Sequence, residues 1–74
     1  EMSNEEAKKM VNPNVEIHEE GIAIIENDLG EEVLVYDFLG TYNNDTYRIF
    51  VNAMSGLEEK VEKLGGTEIN YAVN

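Results

Sequence analysis

The chain has 74 residues, 5 Lys+Arg against 16 Asp+Glu, a formal net charge of -11, 42% hydrophobic residues and no cysteine. That length is one small domain that removes roughly 60–65% of its unfolded surface from water, with a thin core and too little chain for an ordinary multi-domain enzyme. The charge leaves no basic stripe to neutralise phosphates, which makes nucleic acid and anionic membranes poor partners and favours a basic protein surface, while the missing cysteines exclude disulfides, thiolate zinc sites and cysteine nucleophiles.

The chain opens Glu1-Met2 with neither a basic n-region nor an apolar h-region, and reads as a cut made just ahead of a helix in a longer parent. Ser3 with Glu6 three residues later forms a capping box, which satisfies two of the orphan amide donors of a helix start. Ala7, Met10 and Val11 share one face, Glu5 and Glu6 lie in the first turn, and Lys8 and Lys9 lie near the last, as the helix dipole favours. Pro13 within Asn12-Pro13-Asn14 ends this helix after about two turns. So short a helix has to lie on a sheet.

From Val15 the apolar period changes to two. Val15 and Ile17 form one run and Ile22 to Ile25 another, with Gly21 marking a turn or bulge between them. The longest apolar stretches, Ile22 to Ile25 and Val33 to Tyr36, are four residues each, far short of the about twenty needed for a spanning helix. Asn27-Asp28-Leu29-Gly30 is a turn cluster. The run Glu32 to Thr41, with Val33 and Val35 alternating with Leu34, Tyr36 and Phe38, predicts a strand covered on both faces. Asn43-Asn44-Asp45 is a second turn, and Tyr47 to Ala53 completes a hairpin with Tyr47, Ile49 and Val51 on one face. Leu57 to Leu64 is ambiguous. Leu57, Val61 and Leu64 at i, i+4 and i+7, with Glu and Lys between and Ser55 as a cap, favour helix, whereas Met54-Ser55-Gly56 read as a tight turn favours a returning strand with Leu57 and Val61 on one face and Glu58, Lys60 and Glu62 on the other. Gly65-Gly66 then breaks the chain, and Thr67 to Asn74 is a tail or a last edge strand built on Ile69, Tyr71 and Val73.

The stretch Tyr47-Arg48-Ile49-Phe50-Val51-Asn52-Ala53-Met54-Ser55-Gly56-Leu57-Glu58 resembles the closing hairpin of the PepSY domain: an alternating aromatic strand, an Asn/Asp-Ala pair, a turn with Gly, and a strand rich in Glu and Val. Ser3 to Met10 is similar to the family's opening helix. The middle, Gly21 to Thr41, is most similar to the last PepSY repeat of a spore-germination member of the family. The resemblance runs from Ser3 to Leu64, which divides the chain into a PepSY-type domain over residues 1–64 and a tail over 65–74. It implies an α+β fold, one short N-terminal helix packed on a three- to four-stranded antiparallel sheet, and so tips Leu57 to Leu64 toward strand. It implies a non-enzymatic, regulatory, protein-binding role without cofactor. The partner so implied is a cortex-lytic enzyme or sister PepSY domains, on the extracytoplasmic cortex side of the spore inner membrane, with the parent anchored and this segment making no membrane contact. An inhibitory propeptide-like domain and a purely structural repeat are the alternatives.

Read for chemistry, the side chains support that direction. His18 sits among Glu16 to Glu20 with no second His or Cys at metal-ligand spacing, and reads as a solvated turn histidine. The pairs Glu19-Glu20, Glu31-Glu32 and Glu58-Glu59 point to opposite faces if extended and have no cleft to lift a pKa, so general-acid work is not expected. The Asn27 to Glu32 turn lacks the ligand spacing of a calcium loop. Ser3 and Ser55 have capping or turn roles and no base nearby. Gly40 marks a bulge or a place where another backbone comes close. Most aromatic side chains are core by default. Tyr42 and Tyr71, near a turn and in the tail, join Gly40 as candidate interface residues, since aromatics with a polar tip are enriched at interfaces.

Overall fold

The computed structural model describes residues 1–64. The elements run α1 (Asn4–Lys8), β1 (Glu16–Glu26), β2 (Glu32–Tyr42), β3 (Asp45–Asn52) and β4 (Glu58–Lys63), and the strands form an antiparallel meander in the order β1-β2-β3-β4. The expected α+β architecture is therefore present with four strands.

The capping box forms as read. Ser3 Oγ accepts from the Glu6 N–H at 3.1 Å and Glu6 Oε1 accepts from the Ser3 N–H at 2.8 Å. The helix is shorter than expected, five residues, because the N–H groups of Lys9, Met10 and Val11 turn to carbonyls three residues back. This tighter winding ends the α-helix before Pro13 is reached. Ala7 and Val11 are buried, but Met10 is half exposed, a departure from the single apolar face expected.

The turns follow from their residues. Asn43 and Asn44 have φ of 55° and 70°, the left-handed pair that a two-residue hairpin turn requires and that Asn tolerates best after Gly. In the β1–β2 connection Asn27 Oδ1 accepts the N–H groups of Leu29 and Glu31 at 3.0 and 2.9 Å, and Gly30 takes φ 79°. Between β3 and β4, Asn52 Oδ1 accepts from Met54 and Ser55 at 2.8 and 3.0 Å, and Gly56, at φ 79°, donates to the Asn52 carbonyl at 2.8 Å.

Leu57 to Leu64 resolves to a strand. Residues Glu58–Lys63 pair with β3, and the Leu64 N–H donates to the Thr46 carbonyl at 2.7 Å. The faces differ from the expected alternation: a register shift between Phe50 and Val51 places Glu58 opposite Val51 and Val61 opposite Ile49, so Glu58 shares a face with Val61 rather than with Lys60 and Glu62. Two further expectations change. Gly21 is neither turn nor bulge, since β1 runs unbroken through it in register with Asp37; the irregularity lies between Ile17 and Glu19. His18 is thus a strand residue at a bulge, not a turn residue, and its Nε2 lies 2.8 Å from Thr41 Oγ1.

The helix lies on the sheet face carrying Tyr36, Phe38, Ile49 and Val51. With Ala7, Val11 and Ala53 these form the core, and Met2, Val15, Ile17, Leu34 and Tyr47 pack around it. Each large apolar side chain taken fully from water here contributes about 1.5–3 kcal/mol. The N-terminus is tied down by backbone and side chain together: Met2 N–H donates to the Ala53 carbonyl at 2.8 Å, and the Tyr36 hydroxyl donates to the Met2 carbonyl at 2.7 Å. No element covers the opposite face among the described residues. Val35 is still 0% exposed there, between Ala23 and Asn52 in the ladder, and Phe50 is buried between Asp37 and Lys60, so β2 is shielded on its outer face by neighbouring side chains rather than by a second layer.

Candidate functional site

The helix covers only the middle of its face, and among the described residues one concavity opens beside it and a second lies on the opposite face of the sheet. The larger, about 260 Å³, opens between the end of the helical segment and β4 and is lined by Asn12, Val15, Tyr42, Tyr47, Ile49, Glu58 and Val61. Its walls are mostly apolar, with Glu58 at the rim because the β4 bulge turns that carboxylate to the helix side. Tyr42 is exposed and lines it. Tyr47, expected in the core, lines it too. The two tyrosines lie just outside the Asn43–Asn44 turn, and their flanking of a turn is the sequence signal that could have drawn them together.

A smaller concavity of about 140 Å³ lies toward the other face, lined by Glu19, Glu20, Gly21, Asp37, Leu39 and Arg48. Arg48 Nε stands 3.5 Å from Asp37 Oδ1, close enough for attraction but not aligned for a hydrogen bond, and it has no other partner. Both side chains are partly exposed, so the pair contributes at most about 1 kcal/mol.

Gly40 is buried and stays in register with Ile17 and Tyr47, so β2 carries no bulge at it. A Cβ there would stand 2.5 Å from Val15 Cγ1 and 3.0 Å from the Glu16 carbonyl oxygen. The close approach it allows is to the chain's own β1. Tyr71 lies outside the described residues.

One carboxylate of each pair is engaged by a neighbouring side chain, Glu31 by Asn27 Nδ2 at 3.4 Å. Glu20 takes Lys8 Nζ at 2.7 Å and Glu59 accepts from Asn52 Nδ2 at 2.9 Å. Lys8 also reaches Glu5 at 3.3 Å, and the bonds to Glu20 and then Glu5 hold its ammonium pKa above the usual lysine value. The Ser3 N–H, and then its hydroxyl, hold the Glu6 carboxyl below its usual value. Among the described residues no group of three His, Asp or Glu side chains is placed to hold a metal ion, and the Asn27 oxygen is already engaged by its own turn.

The charge is unevenly spread. Between Lys9 and Arg48 the chain has nine carboxylates and no Lys or Arg. Of the cations, Lys8, Arg48 and Lys63 each face a carboxylate of the same chain, so the acidic surplus is left on the surface, most densely along β1 and its following turn. What this geometry offers is contact surface: an apolar groove, a long strand edge and a field attractive to cations.

Comparison with known proteins shows the family to which this fold belongs. Residues 1–62 match the model of the family described as "Peptidase propeptide and YPEB domain". The chain is 56% identical over 70 residues to sporulation protein YpeB of Oceanobacillus iheyensis, covering 95% of this chain and 16% of that protein. It is 53% identical over 66 residues to sporulation protein YpeB of Bacillus subtilis, covering 89% of this chain and 15% of the relative. The solved Bacillus megaterium YpeB C-terminal domain superposes with a TM-score of 0.85 at 63% identity, over 88% of this chain and 29% of that one. The chain therefore spans about one-sixth of the length of these curated relatives. A capped helix on a four-stranded meander, matched by the family model over residues 1–62, places this chain in the PepSY family.

Proposed function

We propose that this PepSY domain is a non-catalytic protein-interaction module of a spore-germination protein, which stabilises, localises or inhibits a partner cortex-lytic enzyme of the SleB type. The observation that carries the reading is the high identity to sporulation protein YpeB. Exposed apolar surface around a thin core, with an acidic field that draws a basic partner, supports it. The parent works on the cortex side of the spore inner membrane, and this segment acts there by contact with protein, without cofactor. Residues 1–64 form the working unit and 65–74 a tail.

The test uses the full-length parent in spores. Deleting residues 1–64 is expected to lower retention of the lytic enzyme, read by immunoblot, and to slow cortex breakdown. Enzyme held equally well by the truncated parent overturns the reading. A second reading, a structural repeat that packs on sister PepSY domains, is favoured by the solved YpeB domain, of which the matched region is only 29%. Under that reading the deletion lowers the level of the parent itself.

A further inference from the structure

Among the described residues the β1 edge of the sheet is open along most of its length. β1 and β4 are the outer strands, and β1 has 11 residues. Antiparallel hydrogen bonds alternate along a ladder, so one bonded rung fixes the rest. The Asn27 N–H closes onto the Glu31 carbonyl at 2.8 Å, and from Glu26 back to Glu19 the pairing with β2 has no irregularity. The bonded rungs are therefore Ile25/Val33, Ala23/Val35 and Gly21/Asp37. Glu20, Ile22, Ile24 and Glu26 turn their N–H and C=O groups away from β2, and among the described residues no strand meets them.

The side chains of those same residues lie on the helix face, where Ile22 is 57% and Ile24 68% exposed. The outward-facing positions thus read acidic, apolar, apolar, acidic along the edge. Glu20 already holds Lys8 of the helix, so a partner cation there shares or displaces that exposed pair, whereas Glu26 faces no cation among the described residues. Native edges are usually blocked by lysine, proline, a bulge or short length. Glu19 to Glu26 contains no Lys or Pro, and the bulge lies before it. A second copy of the chain is a poor occupant, because apposing two β1 strands brings like carboxylates together in a molecule of net charge -11. A cationic strand fits both the backbone and the charge.

We infer that the β1 edge, over Glu20 to Glu26, is a β-augmentation site for an extended segment of a basic partner protein. That segment carries Lys or Arg opposite Glu20 and Glu26 and apolar residues opposite Ile22 and Ile24. Its main chain supplies the hydrogen bonds and its alternate side chains the selectivity. The inference rests on the reading of the domain as an interaction module and names the surface and the class of partner for it.

The test is titration of the 74-residue chain with the blocked peptide KTVTVTK, followed by NMR and amide hydrogen exchange. At saturation the amides of Glu20, Ile22, Ile24 and Glu26 are expected to exchange at least about tenfold more slowly, and affinity is expected to fall severalfold between about 50 mM and about 300 mM salt, as screened charge contacts require. The peptides ETVTVTE and KKTTTVV are expected not to bind. Ile24→Pro removes an outward N–H without touching the ladder and abolishes binding, whereas Ile24→Val keeps it. If Ile24→Pro lowers the protection of the Phe38 amide, the exposed pair Ile22→Lys with Ile24→Lys serves in its place.

Binding that protects other amides, or that ignores peptide charge, overturns the inference. So does protection of the outward amides in the peptide-free chain, whether from a second copy or from residues 65–74. Full-length parent carrying Ile24→Pro separates this inference from the broader one. If it still retains the lytic enzyme while deletion of residues 1–64 does not, the module stands and the edge is wrong; if neither change alters retention, the interaction reading itself fails.

Discussion

The two edges of this sheet are built to different rules. β4 is six residues long, mixes three Glu with two Lys, and carries a bulge within its pairing to β3. β1 is 11 residues long, has its bulge near its start, and then runs regularly past two exposed isoleucines. A short, bulged, mixed-charge strand is a poor template for another chain, and a long regular one is a good template. At β1 only like-charge repulsion discourages self-pairing, and that barrier does not act against a cationic partner. Both edges hang on the same β2–β3 centre, so substitutions can remove the centre or loosen one edge at a time.

Phe38→Ala removes the largest fully buried side chain of the shared core, and is expected to cost about 3–5 kcal/mol. For a domain of this size that loss unfolds both edges together, visible as the disappearance of a cooperative thermal transition. Gly40→Ala acts on the β1 side. Its Cβ must displace Val15 and press on the Glu16 carbonyl, for about 1–3 kcal/mol by denaturant unfolding, with amide exchange rising at Ile17 before it rises in β4.

Asn52→Ala is the counterpart on the other side. It leaves the Met54 and Ser55 N–H groups without their side-chain acceptor and frees Glu59, at a cost of about 1–2 kcal/mol and with faster exchange confined to β4 and its turn. Ser3→Ala removes half of the capping box for about 1 kcal/mol and loosens the helix rather than either edge.

The smallest effect comes from the ionic link between helix and β1. Lys8 gains its partners on folding and its pKa is raised, so its contribution is complete below the ordinary lysine value near 10.5 and is lost as pH climbs through the raised one. Glu6 has the opposite sign: its pKa is lowered, so its contribution is complete above 4.5 and is lost as pH falls through the lowered value. A melting temperature whose alkaline drift is smaller in Lys8→Ala, and whose acid drift is smaller in Glu6→Gln, checks the two signs.

Much of this was legible in local residues. Ser3 and Glu6 announce a helix start because a capping box is made within four residues. Asn43-Asn44 announces a hairpin because few residue pairs take positive φ twice. The β4 segment was not legible from periodicity. Leu57, Val61 and Leu64 fit a helix, and only pairing with β3 makes Glu58–Lys63 a strand, since tertiary hydrogen bonds outweigh a propensity difference of a few tenths of a kcal/mol per residue. The groove was half legible: Tyr42 stood out beside its turn, while Tyr47 looked like core because alternation reports a face and not how far the helix extends over it. Asn52 gave no sign that one side chain would organise the whole β3–β4 connection.

By itself, then, the sequence determined the chain's segments, its turn chemistry, its acidic balance and its lack of any thiol, because each depends on composition or on neighbours a few residues apart. Tertiary structure decided which glycine sits against another backbone, where the two bulges fall, which face Glu58 takes, and that Ile22 and Ile24 lie in water on an open edge. Those features depend on register between strands and on how little of the sheet a five-residue helix can cover, and neither is encoded in any short window of the chain.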